Sequence, residues 1–149
     1  LNTWLTTMSD QFLKNIFSPN GEFELYITQS WLNVTKPGER HHRHRHPNSI
    51  LSGTFYIQTI PNDRIQVYAD TTSHPLLYAY DFEFKNQNMH NAWSYSQTIK
   101  TNDLVIFSSN LEHSVPVNKS NEIRISLAFN TFMRGKVGNS IDLTELVLQ

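Results

Sequence analysis

The apolar positions of this chain first recur at helical spacing and then switch to strict alternation. Leu5, Met8, Phe12, Ile16 and Phe17 follow the 3.6-residue period, Ser9 and Asp10 supply N-cap chemistry, and Ser18-Pro19-Asn20-Gly21 reads as a stop and turn. One amphipathic helix is therefore expected within residues 1–21. From Glu22 the period is two: Phe23, Leu25 and Ile27 alternate with Glu22, Glu24 and Tyr26, and Trp31-Leu32-Asn33-Val34 continues extended as far as the turn Lys36-Pro37-Gly38. Further strands are predicted over 51–58, 64–69, 76–84, 93–99, 103–108 and 123–132, and the segment 141–148 suits a last strand or a short helix. About eight strands separated by Gly, Pro, Asn and Ser turns predict a mainly β fold, a jelly roll or related double-sheet barrel, with the helix packing its Leu5, Phe12 and Ile16 face outside. With 149 residues and no linker composition, the expected organisation is one domain: helix and turn over 1–21, a β core over 22–138, and a C-terminal element over 139–149.

Composition sharpens this picture. Val, Ile, Thr, Phe, Tyr and Trp total 49 residues against four Ala, which favours strands, and 41 Leu, Ile, Val and Phe are enough to build a core. A net charge of −1 provides no field to draw the chain onto nucleic acid, and duplex DNA is disfavoured as a partner. No run approaches the roughly 18 apolar residues of a membrane span, and the first residues lack the order of a signal peptide, so a soluble protein is expected. Without cysteine there is no thiolate nucleophile and no Cys-ligated metal; metal chemistry falls to Asp, Glu and the seven His.

Five of those histidines bear on chemistry through their placement. Residues 40–46 read Arg-His-His-Arg-His-Arg-His. A solvated basic loop and a structural zinc site are the competing readings, the second weakened because no other close-set His pair exists. Strand geometry supports a metal centre: residues i and i+2 share a face, so His44 and His46 reach one ion, with His42 on the same face and Arg43 and Arg45 pointing away. The distant third ligand is His113, 67 residues on, directly after the 103–108 strand and its turn; His74 and His90 lie in turn-rich, polar surroundings. In the 123–132 strand, Ile123, Ile125, Leu127 and Phe129 share one face and Arg124, Ser126, Ala128 and Asn130 the other. The polar face is either a wet outer surface or, in a barrel, the lining of a pocket in which Arg124 clamps a carboxylate bidentately beside Ser126.

Taken together, Gly38-x5-His44-x-His46, His113 and Arg124-x-Ser126 resemble the Fe(II)/2-oxoglutarate-dependent oxygenase superfamily. The block from Trp31 to Tyr56, with Asp-Leu-Val-Ile-Phe-Ser-Ser and His-Ser-Val-Pro-Val-Asn, is similar to a small branch of it found in bacterial and phage genomes. The resemblance covers residues 22–138. It implies a double-stranded β-helix, Fe(II) on His44, His46 and His113, and 2-oxoglutarate with its distal carboxylate on Arg124, hydrogen-bonded by Ser126 and Tyr56, with Asn33 a further pocket residue. It further implies use of O2, release of succinate and CO2, hydroxylation of a small-molecule or peptidyl substrate, and a cytoplasmic location, the host's for a phage-encoded copy. One departure stands out: His46 occupies the usual Asp position, so three neutral imidazoles leave the ion its full +2 charge. A cupin-type three-His metalloenzyme independent of 2-oxoglutarate is the first alternative, although Ser49 and Ile50 stand where a cupin has its Glu and Arg124-x-Ser126 has no role there. The second is a non-catalytic jelly-roll binding or structural module. The residues do not choose a substrate or an oligomeric state.

Overall fold

The periodic N-terminal residues close a helix, α1 (Asn2–Phe17), in a computed structural model that describes residues 1–69, 83–86, 88 and 91–149. The helix starts well before the expected cap: Ser9 lies inside it, its hydroxyl donating to the Leu5 carbonyl at 2.9 Å, and Asp10 pairs with Lys14 one turn on. Ser18 ends it in the left-handed region with φ 44°. Leu5 is buried and Phe12 half-buried, and Trp4 meets the Phe55 ring edge-on at 5.5 Å, but Ile16 is 63% exposed, so the packed face is shorter than its apolar pattern.

Nine strands follow among the described residues: β1 (Glu22–Thr35), β2 (His41–His44), β3 (Leu51–Gln58), β4 (Arg64–Tyr68), β5 (Ser94–Thr98), β6 (Leu104–Ser108), β7 (His113–Val115), β8 (Arg124–Val137) and β9 (Leu146–Leu148). The C-terminal element is thus a strand. Of the strand expected over 76–84, only Glu83 and Phe84 are described, in irregular backbone; its other residues, His74 and His90 lie outside the described residues.

The strands form two antiparallel sheets. The larger runs β1-β8-β3-β6, with β9 also on β8; the smaller runs β2-β7-β4-β5. Tyr56 and Phe107 from the first and Ile65 from the second join Ile99 in one buried cluster, so the core lies between the sheets. This is the jelly-roll arrangement expected of the alternating pattern. Registration of β8 against both neighbours positions the site: Ser126 lies opposite Asn33 of β1 and Tyr56 of β3, and Arg124 opposite Thr35. Side chains two apart share a face, so Arg124, Ser126, Ala128 and Asn130 form one inward row. All four are buried, whereas Ile125 and Leu127 on the other face are only half-buried. The usual order of polar outside and apolar inside is reversed along this stretch because the inner face lines a cavity. On the other face of β8, Phe129 is fully buried across from Gly53, where any Cβ would collide with its ring. Among the described residues no helix is long and apolar enough to cross a membrane.

Candidate metal centre and its cavity

The short strand β2 meets β7 at His41↔Val115 and His44↔His113, three residues of advance against two. That bulge interrupts the alternation. His41 and His44 both line the cavity between the sheets, while His42, expected to share the face of His44, is exposed. His46 lies two residues past the end of β2 and is anchored by its backbone N–H donating to the Ser109 carbonyl at 2.9 Å. Ser109 is itself held: its hydroxyl bonds Ser52 at 2.7 Å and Ser49 at 2.8 Å, and Ser52 donates to Asn130 Oδ1 at 2.8 Å. This buried hydroxyl network fixes the loop that carries His46.

His44, His46 and His113 converge, offering one ring nitrogen each within 4.8 Å of one another. The His44 Nδ1 lies 2.7 Å from the His42 carbonyl and the His113 Nδ1 3.0 Å from the Leu111 carbonyl. A carbonyl only accepts, so Nδ1 carries the proton on both rings and Nε2 is left as a bare donor atom, the arrangement by which outer partners orient metal-bound imidazoles. The Nε2 atoms of His46 and His113 stand 3.3 Å apart on nearly parallel rings. Burial first, and then the neighbouring His113 and His44, push the His46 pKa down to about 4; burial also lowers that of His113 against the opposing Leu111 carbonyl. Burial thus disfavours an added proton on His46 and His113, and three convergent imidazoles make a donor set that suits a divalent transition metal with nitrogen at about 2.0–2.2 Å. Phe107 and Trp31 wall it, at ring distances of 4.7 Å from His113 and 5.9 Å from His46. Arg43 and Arg45 point away, as expected, and both bond Glu112, whose carboxylate is thereby engaged outside the centre.

The centre opens into a cavity of about 60 Å³ that also holds Asn33, Tyr56, Arg124 and Ser126, so all seven residues singled out from the sequence line one space. Arg124 differs from the expected bidentate clamp. Its Nη1 donates to Asp63 Oδ1 at 2.7 Å, with the two side chains only 3% and 2% exposed. Its Nη2 is buried and has no hydrogen-bond partner among the described residues. A buried guanidinium arm without a partner is costly, and an anionic ligand in the cavity would satisfy it. One arm is therefore structural and one is available. Tyr56 is kept protonated, burial and the Asp63 carboxylate raising its pKa, so it remains a hydroxyl donor.

Two residues escaped the sequence reading. Asp63 reads only as the end of the Pro61-Asn62-Asp63 turn, yet its Oδ1 also accepts from the Arg64 N–H at 2.9 Å and its backbone bonds Ile60 and Ile99, which makes it a rigid counterion. His41 seemed part of the basic run; it bonds Thr35 Oγ1 through Nε2 at 3.2 Å, and burial, followed by the charge of Arg124, lowers its pKa.

Comparisons with known proteins bear on the family and the fold. Residues 29–130 match a family model described as "Putative 2OG-Fe(II) oxygenase". No curated protein sequence matches. Among solved structures, the chain is similar to an oxidoreductase of the 2OG-Fe(II) oxygenase family from Burkholderia pseudomallei (TM-score 0.59, 13% identity, 87% of this chain and 56% of that one). It is similar to AviO1 from Streptomyces viridochromogenes Tue57 (TM-score 0.57, 12% identity, 85% and 56%). Iron-bound EctD from S. alaskensis also matches (TM-score 0.54, 18% identity, 86% and 52%). The chain spans little more than half the length of these structures, and at such identities the likeness is one of fold.

Proposed function

The chain belongs to the 2OG-Fe(II) oxygenase family, and from that premise we propose that it is a non-haem Fe(II)- and 2-oxoglutarate-dependent oxygenase that hydroxylates a small-molecule or peptidyl substrate. The observation that carries this reading is the coexistence, in one cavity, of three convergent imidazoles and a buried Arg124 arm without a partner. When bound, Fe(II) and 2-oxoglutarate supply the oxidising chemistry: with O2, the oxo acid is converted to succinate and CO2 while one oxygen atom enters a C–H bond of the substrate.

The protein contributes binding and geometry. His44 and His113 present Nε2 because the His42 and Leu111 carbonyls hold their Nδ1 protons, and His46 would complete the metal-holding set from a loop tied to Ser109. Arg124 receives the distal carboxylate on Nη2, while Asp63 prevents the guanidinium from turning away. Tyr56 and Ser126, side by side in the cross-strand row, donate hydroxyls to the same carboxylate, with Asn33 at the third position of the row. Trp31 and Phe107 place aromatic surface beside His46 and His113. A cupin-type centre that works without 2-oxoglutarate would leave the Arg124 arm without a ligand.

The test is anaerobic titration of the Fe(II)-loaded protein with 2-oxoglutarate. A visible metal-to-ligand charge-transfer band that saturates at one equivalent is the expected result. Stoichiometric iron without that band, or without calorimetric binding of 2-oxoglutarate, overturns the proposal.

A further inference from the structure

Arg124 reaches the cavity with Nη1 bonded to Asp63 and Nη2 without a partner among the described residues, and a carboxylate bound there has lone pairs for several donors. His41 lines the same cavity as Arg124. The β2 bulge turns it into the cavity, and it touches Thr35, the residue that pairs in register with Arg124. Thr35 is buried, and when its hydroxyl donates to His41 Nε2 the imidazole keeps its proton on Nδ1, the one remaining ring donor. A neutral ring suffices for this, since the hydrogen bond draws its strength from the charge on the acceptor.

We propose that His41 is a positioning residue for the co-substrate, donating from its imidazole to the distal carboxylate beside the free arm of Arg124 and so selecting a dicarboxylic over a monocarboxylic 2-oxo acid. The proposal rests on the oxygenase reading above and adds a residue outside the Arg124-x-Ser126 pattern. Thr35 acts through His41 by fixing its ring.

The experiment is anaerobic calorimetry on the full Fe(II)-loaded chain with 2-oxoglutarate and with 2-oxopentanoate, which has the same five carbons but no distal carboxylate. His41→Phe fills the site without a donor, and His41→Asn returns an N–H near the position of Nδ1. Loss of one charge-assisted hydrogen bond weakens 2-oxoglutarate binding by about ten- to a hundredfold in His41→Phe. In the same variant, binding of 2-oxopentanoate and the iron content stay at wild-type levels. His41→Asn recovers most of the loss. Equal weakening for both acids would assign His41 a merely structural role, and unchanged 2-oxoglutarate binding in His41→Phe, or no recovery in His41→Asn, would likewise overturn the proposal. Wild-type protein that holds iron but binds neither acid overturns the oxygenase reading itself, a result distinct from any failure of the variants.

Discussion

Removing either member of the Asp63–Arg124 pair should damage the fold far more than removing both. The two side chains are almost completely excluded from solvent, and Asp63 is the only carboxylate bonded to Arg124 among the described residues. Stripping one partner from a buried pair leaves an uncompensated charge at a cost of about 3–5 kcal/mol, whereas exchanging both for apolar groups is often nearly neutral. Asp63→Ala and Arg124→Met are each expected to lose that amount. At about 2–4 °C per kcal/mol for a chain of this size, the midpoint of thermal unfolding falls by about 6–20 °C. The double variant should be less destabilised than either single one, which requires a coupling energy larger than a single loss, about 3–5 kcal/mol or more. Asp63 also accepts the Arg64 N–H, so Asp63→Asn, which keeps an oxygen there while removing the charge, separates the turn from the ion pair. The assay is urea unfolding of metal-free protein across the cycle, which avoids any contribution from ligands. Single losses below about 1 kcal/mol, or effects additive within about 0.5 kcal/mol, would refute the assignment of these groups as mutual compensation.

The remaining expectations concern the metal, pH and packing. His44→Ala, His46→Ala and His113→Ala should each weaken Co(II) or Fe(II) binding by more than about a hundredfold, beyond the effect of an outer partner, while His42→Ala, whose side chain is exposed, leaves metal content unchanged by elemental analysis. The His46 pKa is lowered to about 4 in the folded chain from an ordinary value of 6.5, so the unfolded chain takes up the proton first as pH falls. Stability of the metal-free protein should therefore be complete above about pH 6.5, decline toward pH 4 and level off below, followed by urea midpoints across that range; a flat profile would contradict the lowered value. Gly53→Ala places a methyl group against the Phe129 ring and should cost about 1–3 kcal/mol by chemical denaturation.

The alternation in β8 was readable because Ile125 and Leu127 contrast with Arg124, Ser126 and Asn130, and period two fixes faces without knowledge of partners. That it was the polar face that turned inward required the second sheet, which sequence periodicity does not supply. The β2 bulge was invisible for a related reason: in a run of only His and Arg nothing marks a shift of phase, and the phase alone decides whether His41 or His42 faces the cavity. His113 was found by its place after an apolar strand, although its own strand is too short to leave a pattern. Asp63 carried the signature of a turn residue, and its function depends on an arginine 61 residues away that comes to it only through tertiary packing. At the helix, Ser9 looked like a cap because capping residues also occur inside helices, where their hydroxyls bond the preceding turn, as this one does with Leu5.

The pairing of β1 with β8 has a consequence for how the molecule is assembled. Its partners lie 89 to 114 residues apart in the chain, so the first strand made must wait for almost the last. At ribosomal rates of about 5–20 residues per second, that wait is on the order of 5–20 s, during which a 14-residue edge has no mate and is open to pairing with other chains. A metal held by the proposed three-histidine set would offer no early remedy. His44 and His46 emerge long before His113, and two imidazoles on a loose segment make a weak chelate. His113 and the strand that carries Arg124 arrive within the same stretch of synthesis, so on the proposed reading of the three histidines as metal ligands, metal capture and closure of the barrel would fall together at the end of folding, and a chelator present during refolding should retard the last phase while leaving the earlier ones unchanged.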